Sequence, residues 1–271
     1  MKIRSITYFC SPKWPVDEAV VQQAGSFTQA AKEAFQAAGY EVQTMRLAMP
    51  SFMSYLPEVG LLPTLAQTVE KLAAQFDINY VSLGPAFPDS PESYTAILGA
   101  LSATQNAFFS GSLTTPDGQI SLPAVRLCAH IIHQAAPITP DGFTNLRFAA
   151  LANVMPGSPF FPAAYHMGRE PAFAIATEAA DLAVQAFRQA ATLVEAQQAL
   201  PAAIEQHARK LEETARELAE QFGVRFSGCD FSLPPFPDES LSLGTALEAL
   251  GVSSLGLHGS LAAAAILADA I

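Results

Sequence analysis

Residues 3–10, Ile3-Arg-Ser-Ile-Thr-Tyr-Phe-Cys10, alternate in polarity and are rich in β-favouring side chains, which predicts a strand. The period then changes. Across residues 16–38, Val20, Val21, Ala24, Phe27, Ala31 and Phe35 recur at helical spacing, and Gly39 stands at the C-cap position. Residues 41–48 return to a strand. After Pro50, a helix over 61–75 leads into a third strand, Tyr80-Val-Ser-Leu-Gly84. The order β-α-β-α-β predicts parallel strands, since each helix carries the chain back across the sheet.

The pattern predicts further helices over 92–104, 122–134, 179–191, 204–222, 241–250 and 261–271, and strands over 108–113, 146–154, 173–177 and 224–233. Gly223 and Gly251 stand where helices stop, and Pro234-Pro-Phe-Pro237 breaks the chain. No repeat or long linker divides it. Residues 1–271 therefore read as a single α/β domain of mostly parallel strands with crossover helices. The segment Phe148-Ala-Ala-Leu-Ala-Asn-Val154 is apolar on both faces, as strands inside a parallel sheet are. Ligands of such folds bind at strand C-terminal ends, and that rule selects the loops to search.

Composition narrows the function. Half of the 271 residues are apolar and 14% are charged, against about 25% charged in an ordinary soluble domain. The core is expected to be large, and part of the surface to be covered by another chain. A net charge of −11 argues against a nucleic-acid surface. The apolar run Leu261-Ala-Ala-Ala-Ala-Ile-Leu-Ala268 falls well short of the ~20 residues needed to cross a bilayer. The N-terminus does not read as a signal peptide, and three scattered cysteines fit a reducing cytoplasm.

Four strand-end segments carry the candidate chemistry. They are Leu83-Gly84-Pro85, Ser110-Gly111-Ser112, Tyr165-His166-Met167-Gly168 and Leu257-His258-Gly259-Ser260. Gly84, Gly111, Ser112, Gly259 and Ser260 are the candidate ligand-binding positions, Ser260 as a possible cap of the terminal helix. His166 and His258 are candidates for proton transfer; a turn histidine bonded to backbone is the plainer alternative for each. Asp230 is an acid in an apolar strand, so it must be paired, hydrogen-bonded or turned into a polar cavity. His130 and His133 share a helix face, a weak metal-ligand spacing. Cys10 at a strand end is a weak nucleophile candidate. The chain has no Cys-x-x-Cys, P-loop, Gly-x-Gly-x-x-Gly or Gly-x-Ser-x-Gly motif, and no cofactor is specified.

The stretch Gly223-Val-Arg-Phe-Ser-Gly-Cys-Asp-Phe-Ser-Leu-Pro-Pro235, followed by Ala246-Leu-Glu-Ala-Leu-Gly251 and Leu257-His-Gly-Ser-Leu261, resembles the DUF711 family, also called UPF0210. Ser158-Pro-Phe-Phe-Pro-Ala-Ala-Tyr-His166 is similar to the family's Asn-Pro-Phe-Met-x-Gly-Ala-(Phe/Tyr)-His segment. Asp230, His166, His258 and Gly259 match individually. The resemblance implies part of a ten-stranded α/β barrel of the pyruvate formate-lyase type, built from two opposed sets of parallel strands. It does not imply that enzyme's chemistry, since adjacent cysteines and a glycyl-radical motif are absent. Family members continue beyond the His-Gly turn, so a short branch or a completing partner chain is expected.

Two function classes follow. The first is an enzyme acting on a small polar or anionic molecule, with His166 and His258 sharing proton transfer and Asp230 orienting an imidazole. The second is a non-catalytic ligand-binding or assembly subunit that forms a homo-oligomer or joins a partner subunit.

Overall fold

The computed structural model describes residues 1–168, 170–234 and 236–271. Its elements run β1 (Lys2–Phe9), α1 (Glu18–Ala37), β2 (Val42–Ala48), α2 (Leu62–Ala74), β3 (Tyr80–Ala86), α3 (Pro91–Ala103) and β4 (Ala107–Ser112). Then come α4 (Leu122–Ala135), the single turn α5 (Phe143–Leu146), β5 (Phe148–Leu151), β6 (Ala172–Glu178) and α6 (Ala180–Gln189). The chain continues through α7 (Leu193–Phe222), β7 (Arg225–Asp230), α8 (Leu243–Ala249) and α9 (Ser260–Asp269).

The seven strands form one sheet in the order β5-β4-β3-β2-β1-β6-β7. β1 to β5 are parallel, β6 runs antiparallel to β1, and β7 is parallel to β6. From β1 to β5 the spatial order repeats the chain order without reversal. Right-handed crossovers then place every connecting helix on the same face. On that face Ile3, Ile6 and Tyr8 pack with Val21 and Phe27 of α1, Leu65 of α2 and Tyr94 of α3 in the main core. A second core joins α6, α8, α9 and the start of α7 around Phe187, Leu200 and Leu247.

Among the described residues no helix crosses the opposite face, and only the single turn α5 borders it, at the β5 edge. That face carries Thr7, Phe9, Thr44, Arg46, Ser82, Phe108 and Ser110, and the irregular stretch 157–166 crosses it. Ser82 Oγ donates to the Ala164 carbonyl at 2.7 Å, and Phe161 packs edge-on against Phe108 at 5.4 Å between ring centres. Phe9, Ala48, Ala164, Ala172 and Ala174 close a small apolar cluster there.

Three expected elements shift. The strand expected over 146–154 shrinks to four residues. Leu146 ends a helical turn before it, and Asn153 takes a left-handed φ of 54° after it. The helix expected from 204 begins at Leu193, where Thr192 accepts from the Glu195 amide, and it runs through Pro201. The last strand ends at Asp230, where the carboxylate bonds the Ser232 amide and turns the chain. The two opposed sets of parallel strands are present, but the sheet is open: β5 and β7 are its edges among the described residues.

Candidate functional site

Where β3, β4 and β5 end, their loops and residues 153–167 enclose a cavity of about 430 Å³. Asp89, Ser112, Thr114, Asn153 and Tyr165 supply its polar wall. A neighbouring cavity of about 330 Å³ shares Pro156 and Met167 with it and is lined by His166, Gly168, Glu170 and Arg225. The segment between them is tied at several points. The Gly157 amide donates to the Tyr165 carbonyl at 2.9 Å, Tyr165 Oη donates to the Val154 carbonyl at 2.9 Å, and the His166 amide donates to the Met49 carbonyl at 3.1 Å.

His166 is 5% exposed, and its ring lies 6.1 Å from that of Phe9. Its Nε2 is buried and has no hydrogen-bond partner among the described residues. Burial, and then the nearby Arg225 charge, hold the imidazole below the usual histidine range, against a smaller opposing contribution from the Gly168 backbone. It is therefore neutral near pH 7 and keeps a ring nitrogen able to accept a proton.

The glycines at these strand ends answer to packing. Gly84 has φ +76°, and a Cβ there would lie 2.6 Å from Pro50 backbone atoms. A Cβ on Gly111 would lie 2.8 Å from the Tyr94 ring and 2.9 Å from Cys128 Sγ. Ser112 Oγ donates to the Thr114 carbonyl at 2.7 Å and receives the Thr114 amide at 3.2 Å, which shapes the turn beside the larger cavity.

The other expected residues lie elsewhere. Asp230 pairs in register with Ala176, whereas Phe9, beside His166, pairs with Ala172. Four strand residues separate the two levels, about 13 Å at about 3.3 Å per residue. His258 is exposed in the turn before α9. His166 and Asp230 thus do not meet at one cavity within this chain, and His258 lines neither of the two cavities described above. Ser260 does not cap α9: it is the helix's first residue, and its hydroxyl donates to the Leu257 carbonyl and accepts the Gly256 amide. Gly259, at φ +95°, is the cap residue, without a side-chain bond.

His130 and His133 are exposed on α4, and no group of three or more His, Cys, Asp or Glu side chains among the described residues is placed to hold a metal. Cys10 is 2% exposed in the main core, and burial pushes its thiol up to about 12. That is the opposite of what a thiolate nucleophile needs. No helix of the described residues is long and apolar enough to cross a membrane.

The family model described as "Uncharacterised ACR (DUF711)" matches residues 1–271. The chain belongs to the DUF711 family. A UPF0210 protein of Desulforudis audaxviator is 29% identical over 271 residues, covering 94% of this chain and 60% of the relative. One from Sulfurisphaera tokodaii is 30% identical over 218 residues, covering 76% of this chain and 48% of the relative. One from Syntrophotalea carbinolica is 28% identical, covering 78% and 49%. This DUF711 chain therefore spans between about half and three-fifths of the length of these curated relatives.

In the DUF711 chain, Arg225 is a site-lining residue that the spacing of motifs does not reveal. It joins His166 in lining the smaller cavity because β7 pairs with β6 at Ala172. Asn153 and Asp89 likewise join the larger cavity from separate loops.

Proposed function

We propose that the chain is an enzyme domain acting on a small polar molecule held where β3, β4 and β5 end, with neutral His166 as its proton-transfer group. The observation that carries this reading is the buried, unpartnered Nε2 of His166 in a cavity wall. An unsatisfied buried nitrogen is costly unless something completes it, and a bound ligand would. The adjoining cavity supplies Asn153, Thr114 and Tyr165 for orientation. Asp230 and His258 have no part in this version of the site.

The test is a thermal-shift and NMR turnover screen with small hydroxy- and keto-acids, run on wild type and His166→Gln. A compound that stabilises and is consumed by wild type but not by a folded His166→Gln supports the reading. Equal stabilisation of both proteins by every binding compound overturns it.

A second reading rests on the two open edges. The family resemblance implies a ten-stranded barrel, and strands from a second copy or a further polypeptide inserted between β5 and β7 would close it. Unpaired edges are commonly covered in native proteins. Sedimentation velocity at micromolar concentration checks the self-association version: a dimer supports it, and a clean monomer removes it. The three free thiols fit a reducing compartment such as the cytoplasm.

A further inference from the structure

At the other end of the helix-free face, where β1 to β4 begin, a cavity of about 290 Å³ has two guanidinium groups in its wall, Arg4 and Arg46. Arg46 is 9% exposed. Among the described residues its only side-chain hydrogen bond runs from Nε to Thr44 Oγ1, at 3.0 Å. Neither arginine forms an ion pair among those residues. The carboxylate of Glu178, further along β6, is instead bonded by the Gln43 amide at 2.9 Å.

Arg147 provides the internal comparison. That guanidinium is also buried without a carboxylate, but both of its terminal nitrogens donate to backbone carbonyls, of Leu101, Thr104 and Ala107, and only its Nε is left without a partner among the described residues. Arg46 has no such acceptors. It has aromatic faces instead, Phe161 at 5.1 Å and Tyr80 at 5.8 Å from its Cζ to the ring centres. Rings offset part of a cation's desolvation but accept none of the guanidinium's terminal N–H groups. Arg4 lies 6.0 Å from the Phe160 ring in the same way. The terminal N–H groups of Arg46 thus have no acceptor among the described residues and open on the cavity, where an anion would complete the fork.

We propose that this cavity binds a small organic carboxylate with a flat apolar body. The carboxylate is taken by Arg46 and Arg4, and the body lies among Tyr80, Phe108 and Phe161. The planar guanidinium fork matches carboxylate geometry in two parallel hydrogen bonds. The cavity's size, at the lower end of ligand sites, and its aromatic walls set the rest: one ring or an equivalent planar group. Burial, and then the neighbouring Arg4, bring Arg46 down to about 10, so it stays charged at neutral pH. This site stands apart from the His166 cavity.

The test is calorimetric titration of the 271-residue chain with sodium benzoate, benzamide and inorganic phosphate. Benzoate should bind about tenfold or more tightly than benzamide, the difference expected of a charge-assisted hydrogen bond. Arg46→Met, which keeps the stem and removes the fork, should weaken benzoate by about tenfold or more, and Arg4→Gln by about threefold or more. His166→Gln should leave benzoate affinity unchanged, which separates this proposal from the preceding one. Arg4 is the less buried of the two, so Arg4→Gln decides the matter if Arg46→Met fails to fold. Equal affinity for benzoate and benzamide overturns the proposal. So does phosphate binding more tightly than benzoate, unaltered binding in the folded variants, or no benzoate binding up to about 10 mM.

Discussion

Arg46 and Arg147 show how little residue type says about role. Both guanidinium groups are buried, yet one meets carbonyls and the other a cavity. The glycines are similar. Gly84 reads as a ligand-binding turn from its neighbours alone, but the Pro50 backbone leaves it no room for a side chain. Gly84→Ala should therefore lower stability by about 2–4 kcal/mol, from a left-handed φ together with a backbone clash. Urea denaturation measures it, and a loss under about 0.5 kcal/mol would show that the strand end relaxes freely. His166 adds a pH dependence. The unfolded imidazole has a pKa of about 6.5, and the folded one is lower. As pH falls through that unfolded value, the unfolded chain takes up a proton that the folded site, facing Arg225, resists. Folding stability should decline from pH 7 towards pH 5, and less steeply in His166→Gln. Parallel slopes for the two proteins would mean that His166 is not desolvated. His207, also held low by burial, is present in both and cancels in the comparison.

Helices and strands with a clear period were legible in the sequence. The helix expected over 16–38 is α1, capped by Asp17 accepting from the Ala19 amide at 3.0 Å. Two of the boundaries that moved are set by local side-chain bonds, from the Glu195 amide to Thr192 and from the Ser232 amide to Asp230, and the third depends on distant backbone. Nothing local announces that Arg147 will reach three carbonyls between residues 101 and 107 and so help to fix where β5 begins. The segment 157–166 has no period at all, yet it covers one face of the sheet. Its tie through Ser82 is buried, so Ser82→Ala should cost about 1–3 kcal/mol by orphaning the Ala164 carbonyl. Denaturation measures the loss, and a thermal shift with any compound found to bind near His166 should shrink with it. Unchanged stability would show that the segment is held by its apolar contacts alone.

At the scale of the molecule there are two cores of unequal quality. The main one joins β1 to β4 with α1 to α4 and the second half of α7. The second rests on α6, the start of α7, α8 and α9, with Leu255, Leu257 and Leu261 exposed beside it. Hydrogen exchange should protect amides of β1, β2 and β3 to near the global unfolding free energy and release those of α8 and α9 earlier. Uniform protection across both cores would indicate one cooperative unit.

The sequence by itself determined the class of fold, because hydrophobic period is a local property and strand–helix alternation compels parallel strands joined by crossovers. It also carried the family, through motifs spread along the whole chain. Only the tertiary structure decided which residues meet. His166 and Asp230 both stand at loop or strand ends, but strand direction reverses between β1 and β6, so the C-terminal ends of β1 and β7 lie at opposite ends of the sheet. Arg4 and Arg46 pass for ordinary strand residues until parallel pairing brings them to one helix-free face. Convergence of distant residues depends on register and strand direction, and neither is written in any single segment.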